Sequence, residues 1–280
     1  MNNFLDGNTS TLIMGIINIT SDSFYASSRV AGVSEAAERA ALMVKEGADM
    51  LDIGAESTRP GSRGVSAGHE LDALIPVIEA IHNDFPNVPL SADTRRAAAA
   101  AEAIRAGASV INDVSGLLLD YEAPAMLKVL ADSGAYYVLM HTRGTPDNMN
   151  DYAAYEDFWA ELLGFFSDKI ALLTSAGVAE NRIIIDPGLG FAKRSEHNLN
   201  ILANMPRLRA LGRPLLIGAS RKAFTGMAAA NAPAEDRLES TLAVSALCAW
   251  QGADIIRVHD VAANKRVVRM IKAIKDVKPL

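Results

Sequence analysis

Apolar and polar positions alternate along this chain in a regular long-range rhythm. Short β-branched or apolar runs at residues 12–19, 50–54, 89–93, 110–113, 136–141, 182–186, 214–220 and 255–259 have the length and composition of strands. Between them lie Ala-, Leu- and Glu-rich stretches of helical length at 34–46, 70–83, 97–106, 123–133, 155–176, 196–211 and 235–251, with a last one beginning at Ala262. Each predicted strand is therefore followed by a predicted helix. Strands that read as continuous apolar runs are buried on both faces, as parallel strands covered by helices are. Eight such units predict a closed (β/α)8 barrel, an α/β fold in one domain spanning 1–280, with an open doubly wound sheet as the runner-up.

Local signals support this division. Glu46-Gly47-Ala48-Asp49, Ala106-Gly107-Ala108-Ser109 and Gln251-Gly252-Ala253-Asp254 each lead from a helix into a strand. Glycine there suits a left-handed helix cap. The stretch 141–151 is long for a connection in a compact barrel, and long connections in such folds usually carry function.

Half the residues are apolar, which provides for a large core. The net charge of −6 argues against a nucleic-acid or anionic-membrane surface and favours a small-molecule partner. The early apolar run 12–17 is too short for a membrane span and follows no basic segment, so a cytoplasmic location is expected. A single cysteine, Cys248, excludes an internal disulfide; set in an apolar helix, it reads as a small hydrophobe.

Chemistry concentrates at the strand ends. Asn18, Glu56, Asp93, Asn112, His141, Asp186, Lys222, Arg257 and His259 close or follow predicted strands. In a parallel barrel those ends share one rim, where active sites of this fold are built. Taken singly, each has a structural alternative in a turn or cap; together they predict a site. Ser220-Arg221-Lys222 with Arg257 and His259 predicts an anionic phosphate ligand. Lys222 as a Schiff-base lysine is the less favoured reading. Asp93, Asn112 and Asp186 suit a heterocycle whose edge presents adjacent N–H donors, as a pterin or a guanine does. The glycines of Gly188-Leu-Gly-Phe-Ala-Lys193 lack nucleotide-loop spacing and read as a tight turn, and the histidines lack the spacing of a zinc site.

In Met14-Gly-Ile-Ile-Asn-Ile-Thr-Ser-Asp-Ser-Phe24, Asp52-Ile-Gly-Ala-Glu-Ser-Thr-Arg-Pro-Gly61, Ile111-Asn-Asp-Val-Ser-Gly116, Leu139-Met-His-Thr-Arg-Gly-Thr-Pro146, Ile185-Asp-Pro-Gly-Leu-Gly-Phe191, Ser220-Arg-Lys222 and Arg257-Val-His-Asp260, the chain resembles the dihydropteroate synthases of the pterin-binding barrel family over nearly its whole length. The resemblance implies a transferase of folate biosynthesis that condenses 6-hydroxymethyl-7,8-dihydropterin pyrophosphate with 4-aminobenzoate. It implies catalytic roles for Asn18, Lys222, Arg257 and His259. Asp93, Asn112, Met140, Asp186, Phe191, Gly218 and Lys222 would hold the pterin, while Asn18, Thr58, Arg59, Arg257 and His259 would hold the pyrophosphate. Mg2+ would bridge Asn18 to phosphate oxygens, and Phe24, Ser220 and Arg221 would meet the aminobenzoate.

One segment departs from the family pattern Asn-x-Thr-Pro-Asp-Ser-Phe-Ser-Asp-Gly-Gly. Here Ser21 replaces the proline, and Ala26, Ser27 and Ser28 replace Asp-Gly-Gly. Loss of restricted and of positive-φ backbone predicts an altered aminobenzoate site and changed sulfonamide sensitivity. A non-catalytic pterin-binding paralogue and a pterin-dependent methyltransferase are the competing readings. The apolar stretch 242–250 exceeds what one exposed helix face carries and, with the family habit, predicts a homodimer.

Overall fold

The computed structural model describes residues 5, 10–19, 32–56 and 65–277. In chain order the elements are β1 (Leu12–Asn18), α1 (Val33–Glu46), β2 (Met50–Gly54), α2 (Ala67–Asp84), β3 (Leu90–Asp93), α3 (Ala97–Arg105), β4 (Val110–Asp113), α4 (Ala123–Ser133), β5 (Tyr136–Met140), α5 (Phe158–Ser175), β6 (Ile183–Asp186), α6 (Ser195–Ala203), α7 (Pro206–Arg209), β7 (Leu216–Ile217), α8 (Leu238–Trp250), β8 (Ile255–Val258) and α9 (Val261–Lys275). All eight strands run parallel, in the order β6-β5-β4-β3-β2-β1-β8-β7. A parallel bridge between Ile185 and Leu215 joins the two ends, so the sheet closes into a barrel and the open-sheet alternative falls. Among the described residues no helix is long and apolar enough to cross a membrane.

Sequence and structure differ mainly where proline or a turn intervenes. The predicted helix 196–211 is two pieces, because Pro206 starts α7 and cannot continue the hydrogen-bonding of α6. The predicted strand 214–220 contracts to Leu216–Ile217: the chain leaves the ladder at Gly218 and turns sharply at Arg221, whose φ is +54°. Helix α5 begins at Phe158 rather than 155, since the Asp157 side chain accepts the Ala160 N–H and caps it there. The three predicted glycine caps hold, with Gly47, Gly107 and Gly252 all at positive φ.

Two apolar compartments follow from the period-two alternation of the strands. Outward residues such as Ile13, Ile17, Leu51, Ile53, Leu90 and Ala92 pack under the helices. Inward residues Met14, Met50, Val110, Tyr136, Ile184 and Ile255 form a separate cluster that plugs the lower half of the barrel. The Arg182 guanidinium lies 4.3 Å from the Tyr136 ring centre at that end. Further up the same strands, the inward positions change from apolar to polar. That change is what creates a site rather than a uniformly filled core.

At the polar end, β5 and β6 are tied by close backbone contact. The His141 N–H donates to the Asp186 carbonyl at 2.9 Å, and Gly188, at φ +65°, sits against the His141 carbonyl. A Cβ on Gly188 would lie 2.1 Å from that oxygen. Gly188→Ala is therefore expected to destabilise the fold by about 3 kcal/mol or more, combining left-handed strain with backbone overpacking. Equilibrium urea unfolding measures this; a loss under about 1 kcal/mol would mean the turn relaxes without cost.

Candidate active site

The inward polar residues meet on the floor above the apolar plug. Arg257 of β8 reaches across the barrel interior: its Nε donates to Asp52 of β2 at 2.5 Å and its Nη2 to Asp93 of β3 at 2.9 Å. Asp52 also accepts from Ser91 Oγ at 2.6 Å and from Asn112 Nδ2 at 3.2 Å. A wholly buried carboxylate is tolerable when donors surround it in this way. Burial first, and then the neighbouring Asp52 charge, raise the Asp93 carboxyl, while Arg257 opposes the rise. The floor thus concentrates acceptors and one fixed guanidinium.

Asp186 stands at the end of β6, where its carboxylate accepts the Gly188 N–H at 2.8 Å. Burial raises its carboxyl and Lys222 counters this. Lys222 follows β7; its Nζ donates to the Leu189 carbonyl at 2.6 Å and lies 4.8 Å from the Phe191 ring centre. Burial brings the Lys222 ammonium down to about 8, against the pull of Asp186. Met140 ends β5 on the same rim. Gly218 lies between Lys222 and Arg257: a Cβ there would meet Lys222 Nζ at 3.9 Å and Arg257 Cβ at 4.0 Å. The rim thus gathers acceptors and two cations around a residue without a side chain.

His259 lies above β8 with its ring buried. Ser220 Oγ accepts the His259 backbone N–H at 3.2 Å and lies 3.0 Å from Nδ1. Burial first, then Arg257, push this imidazole down to about 3, so it is neutral at pH 7, with Nδ1 and the Ser220 hydroxyl sharing one hydrogen bond. Asn18 closes β1 on the same rim.

Several sequence expectations change. Arg221 does not offer its guanidinium to a ligand: Nε and Nη2 pair with Asp260 at 2.8 and 2.9 Å, and Nη1 donates to the carbonyls of Ala234 and Glu235. Those contacts hold its positive-φ backbone and thereby aim Ser220 and Lys222. Arg257, expected at phosphate, spends two donor groups on Asp52 and Asp93. Glu56 pairs with Arg95 and Arg96 instead of facing the barrel axis. His141 is buried with its Nδ1 2.8 Å from Lys193 Nζ and its ring edge-on to Phe165. Phe24, Thr58 and Arg59, and the variant positions Ser21, Ala26, Ser27 and Ser28, lie outside the described residues. Sequence reasoning missed Asp52, Ser91 and Lys193. Counting by twos from inward Met50 finds Asp52, and counting back from Asp93 finds Ser91; nothing local marks Lys193.

Comparison with known proteins identifies the family. Residues 14–259 match the family described as pterin binding enzyme. A dihydropteroate synthase of Synechocystis is 40% identical over 269 residues, covering 96% of this chain and 92% of that protein. The Yersinia pestis dihydropteroate synthase solved with a sulfonamide drug has a TM-score of 0.91 at 38% identity, covering 96% of each chain. The Xanthomonas albilineans dihydropteroate synthase with 4-aminobenzoic acid has a TM-score of 0.88 at 38% identity, covering 98% of this chain and 95% of that one.

Neutral burial of His259 fixes a pH dependence. Below the ordinary histidine range the unfolded chain takes up a proton that the folded chain refuses until about pH 3, so folding weakens as pH falls. His259→Gln removes this contribution: between pH 6.5 and 5 the wild type is expected to lose about 2 kcal/mol more stability than the variant. Urea unfolding at both pH values measures it, and parallel losses would contradict a neutral buried ring.

Proposed function

This chain belongs to the dihydropteroate synthases of the pterin-binding enzyme family, which makes it a transferase, and we propose that its barrel mouth joins 6-hydroxymethyl-7,8-dihydropterin pyrophosphate to 4-aminobenzoate. The observation that carries the placement of substrates is the polar floor, in which Asn112 joins the Asp52–Arg257–Asp93 set and Asp186 lies close enough to Lys222 for each to shift the other.

The pterin edge carries an amino group and a ring N–H, and these donate to Asp186 and to the Asn112 amide oxygen. Lys222 serves the ring's acceptor atoms, with Met140 and Phe191 against its faces. Asp93, whose carboxyl is raised, lies beside Arg257 on the same floor. Mutually paired side chains hold these groups before the ligand arrives, so little reorganisation accompanies binding.

The pyrophosphate extends toward β1 and β8. There Nη1 of Arg257, the neutral imidazole of His259 and the amide of Asn18 meet it, and the family resemblance assigns Thr58 and Arg59 to the same ligand. Among the described residues no three His, Cys, Asp or Glu side chains are grouped to hold a metal. A single amide oxygen with phosphate oxygens and water suits Mg2+, which keeps much of its water and binds through substrate phosphates. When bound, Mg2+ offsets charge on the leaving pyrophosphate.

Reaction begins with cleavage of the bond between the exocyclic methylene carbon and the pyrophosphate oxygen, the electron pair leaving with pyrophosphate. Arg257 and His259 donate to the oxygens as their charge grows. The electron-rich pterin ring stabilises the methylene cation. The arylamine nitrogen then bonds to that carbon and passes its proton to the departing pyrophosphate or to water, giving 7,8-dihydropteroate. Ser220, fixed by His259, lies on the aminobenzoate side, to which the family resemblance adds Phe24, while the Arg221 guanidinium holds the turn. A cytoplasmic location is part of the same proposal.

A second copy of the chain covers α8 and α9 in this proposal. Trp250 and Met270 are 53% and 61% exposed, and Leu247 and Ile274 lie on the same two packed helices. Trp250→Glu is expected to shift sedimentation from dimer to monomer; a monomeric wild type would contradict the dimer.

Pyrophosphate release by purified protein, with and without 4-aminobenzoate, tests the reaction. The wild type is expected to release it with formation of dihydropteroate, and Asp186→Asn to lose about a hundredfold or more in kcat/KM, as expected when a buried charged partner is lost. Pterin binding without turnover would mean a sequestering protein instead.

A further inference from the structure

We infer that Asp52 is a positioning residue that sets the ring specificity of the site by fixing which end of the Asn112 amide faces the ligand. The inference rests on the pterin reading above. Asp52 is fully buried beneath the mouth and reaches it only through Arg257 and Asn112, at a strand position where Met50 two residues earlier is part of the apolar plug. A hydrophobic side chain would fill that place at lower electrostatic cost.

Its partners explain its presence. The Arg257 guanidinium at 2.5 Å makes Asp52 an acceptor, and an acceptor can be met only by the nitrogen end of an amide. Asn112 Nδ2 lies 3.2 Å away from the same carboxylate oxygen. Ser91 Oγ occupies the other oxygen at 2.6 Å, so the carboxylate cannot rotate to release the amide without losing a second bond. With Nδ2 committed below, Oδ1 is the end presented to the mouth, and among the described residues it accepts no hydrogen bond.

An oxygen at that point welcomes a 2-amino group and repels a 2-oxo group, whose carbonyl would face it acceptor to acceptor. Without the Asp52 charge, the amide is free to turn and offer its nitrogen. The site then accommodates a 2-oxo ring that the wild type rejects.

The test compares binding of 6-hydroxymethylpterin and its 2-oxo counterpart, 6-hydroxymethyllumazine, by calorimetry. The wild type is expected to prefer the pterin, and Asp52→Leu, which removes both acceptor oxygens, to narrow that preference by about tenfold, the remainder coming from Asp186. Asn112→Ala guards against a variant that fails to fold: it leaves Asp52 paired with Arg257 and Ser91, adds no charge, and narrows the preference to the same extent because the amide itself is gone. An unchanged ratio in Asp52→Leu, or the full preference kept in Asn112→Ala, overturns the inference. Failure of the wild type to bind either ring overturns the pterin reading and the inference with it, an outcome distinguishable because it needs no variant.

Discussion

A single guanidinium held between two carboxylates governs the interior of this barrel. Arg257 reaches from β8 past β1 to Asp52 of β2 and Asp93 of β3, directly above an apolar plug that offers no solvation. Breaking one member of such a set leaves an unpaired buried charge, a change that costs several kcal/mol. The constraint fixes more than Arg257 itself: it commits the Asn112 amide, opposes the rise that burial imposes on the Asp93 carboxyl and leaves Nη1 for a ligand. Electrostatic balance on the floor therefore precedes, and shapes, the pocket above it.

The walls depend on backbone geometry instead. Gly188 permits the β6 loop to press on the end of β5, and Lys193, buried there, reaches the carbonyls of His141 and Phe191 at 3.3 and 3.1 Å. This knot holds Asp186 and the Phe191 ring at fixed positions under Lys222. On the other side, the pairing of Arg221 with Asp260 links the loops after β7 and β8, and Ser220 and His259 complete that link. Function here sits on loops whose anchor residues are themselves locked, which limits reorganisation when a ligand enters.

Much of this was legible in the sequence because the strand signal is strong: alternation with helices located all eight strands, and polar residues at their ends located the mouth. The misreadings have local physical causes. Pro206 broke a helix that composition alone joins. Arg221 looked like a ligand residue because cationic clusters suggest anions, yet its partner Asp260 lies 39 residues away and only the fold brings them together. Asp52 was hidden inside a strand rather than at its end, and its role depends on residues from three other strands. Side-chain orientation, not element placement, is what one-dimensional pattern fails to supply.

The most direct test of the account is the crystal structure of the chain with 6-hydroxymethylpterin bound. The account predicts the aminopyrimidine edge of the ring within hydrogen-bonding distance of Asp186 and of the Asn112 amide oxygen, with Gly218 beside the ring and the Asp52–Arg257–Asp93 set unmoved. A ring seated instead in the cavity lined by Leu118, Arg143, Tyr152 and Phe165, outside the barrel mouth, would contradict it.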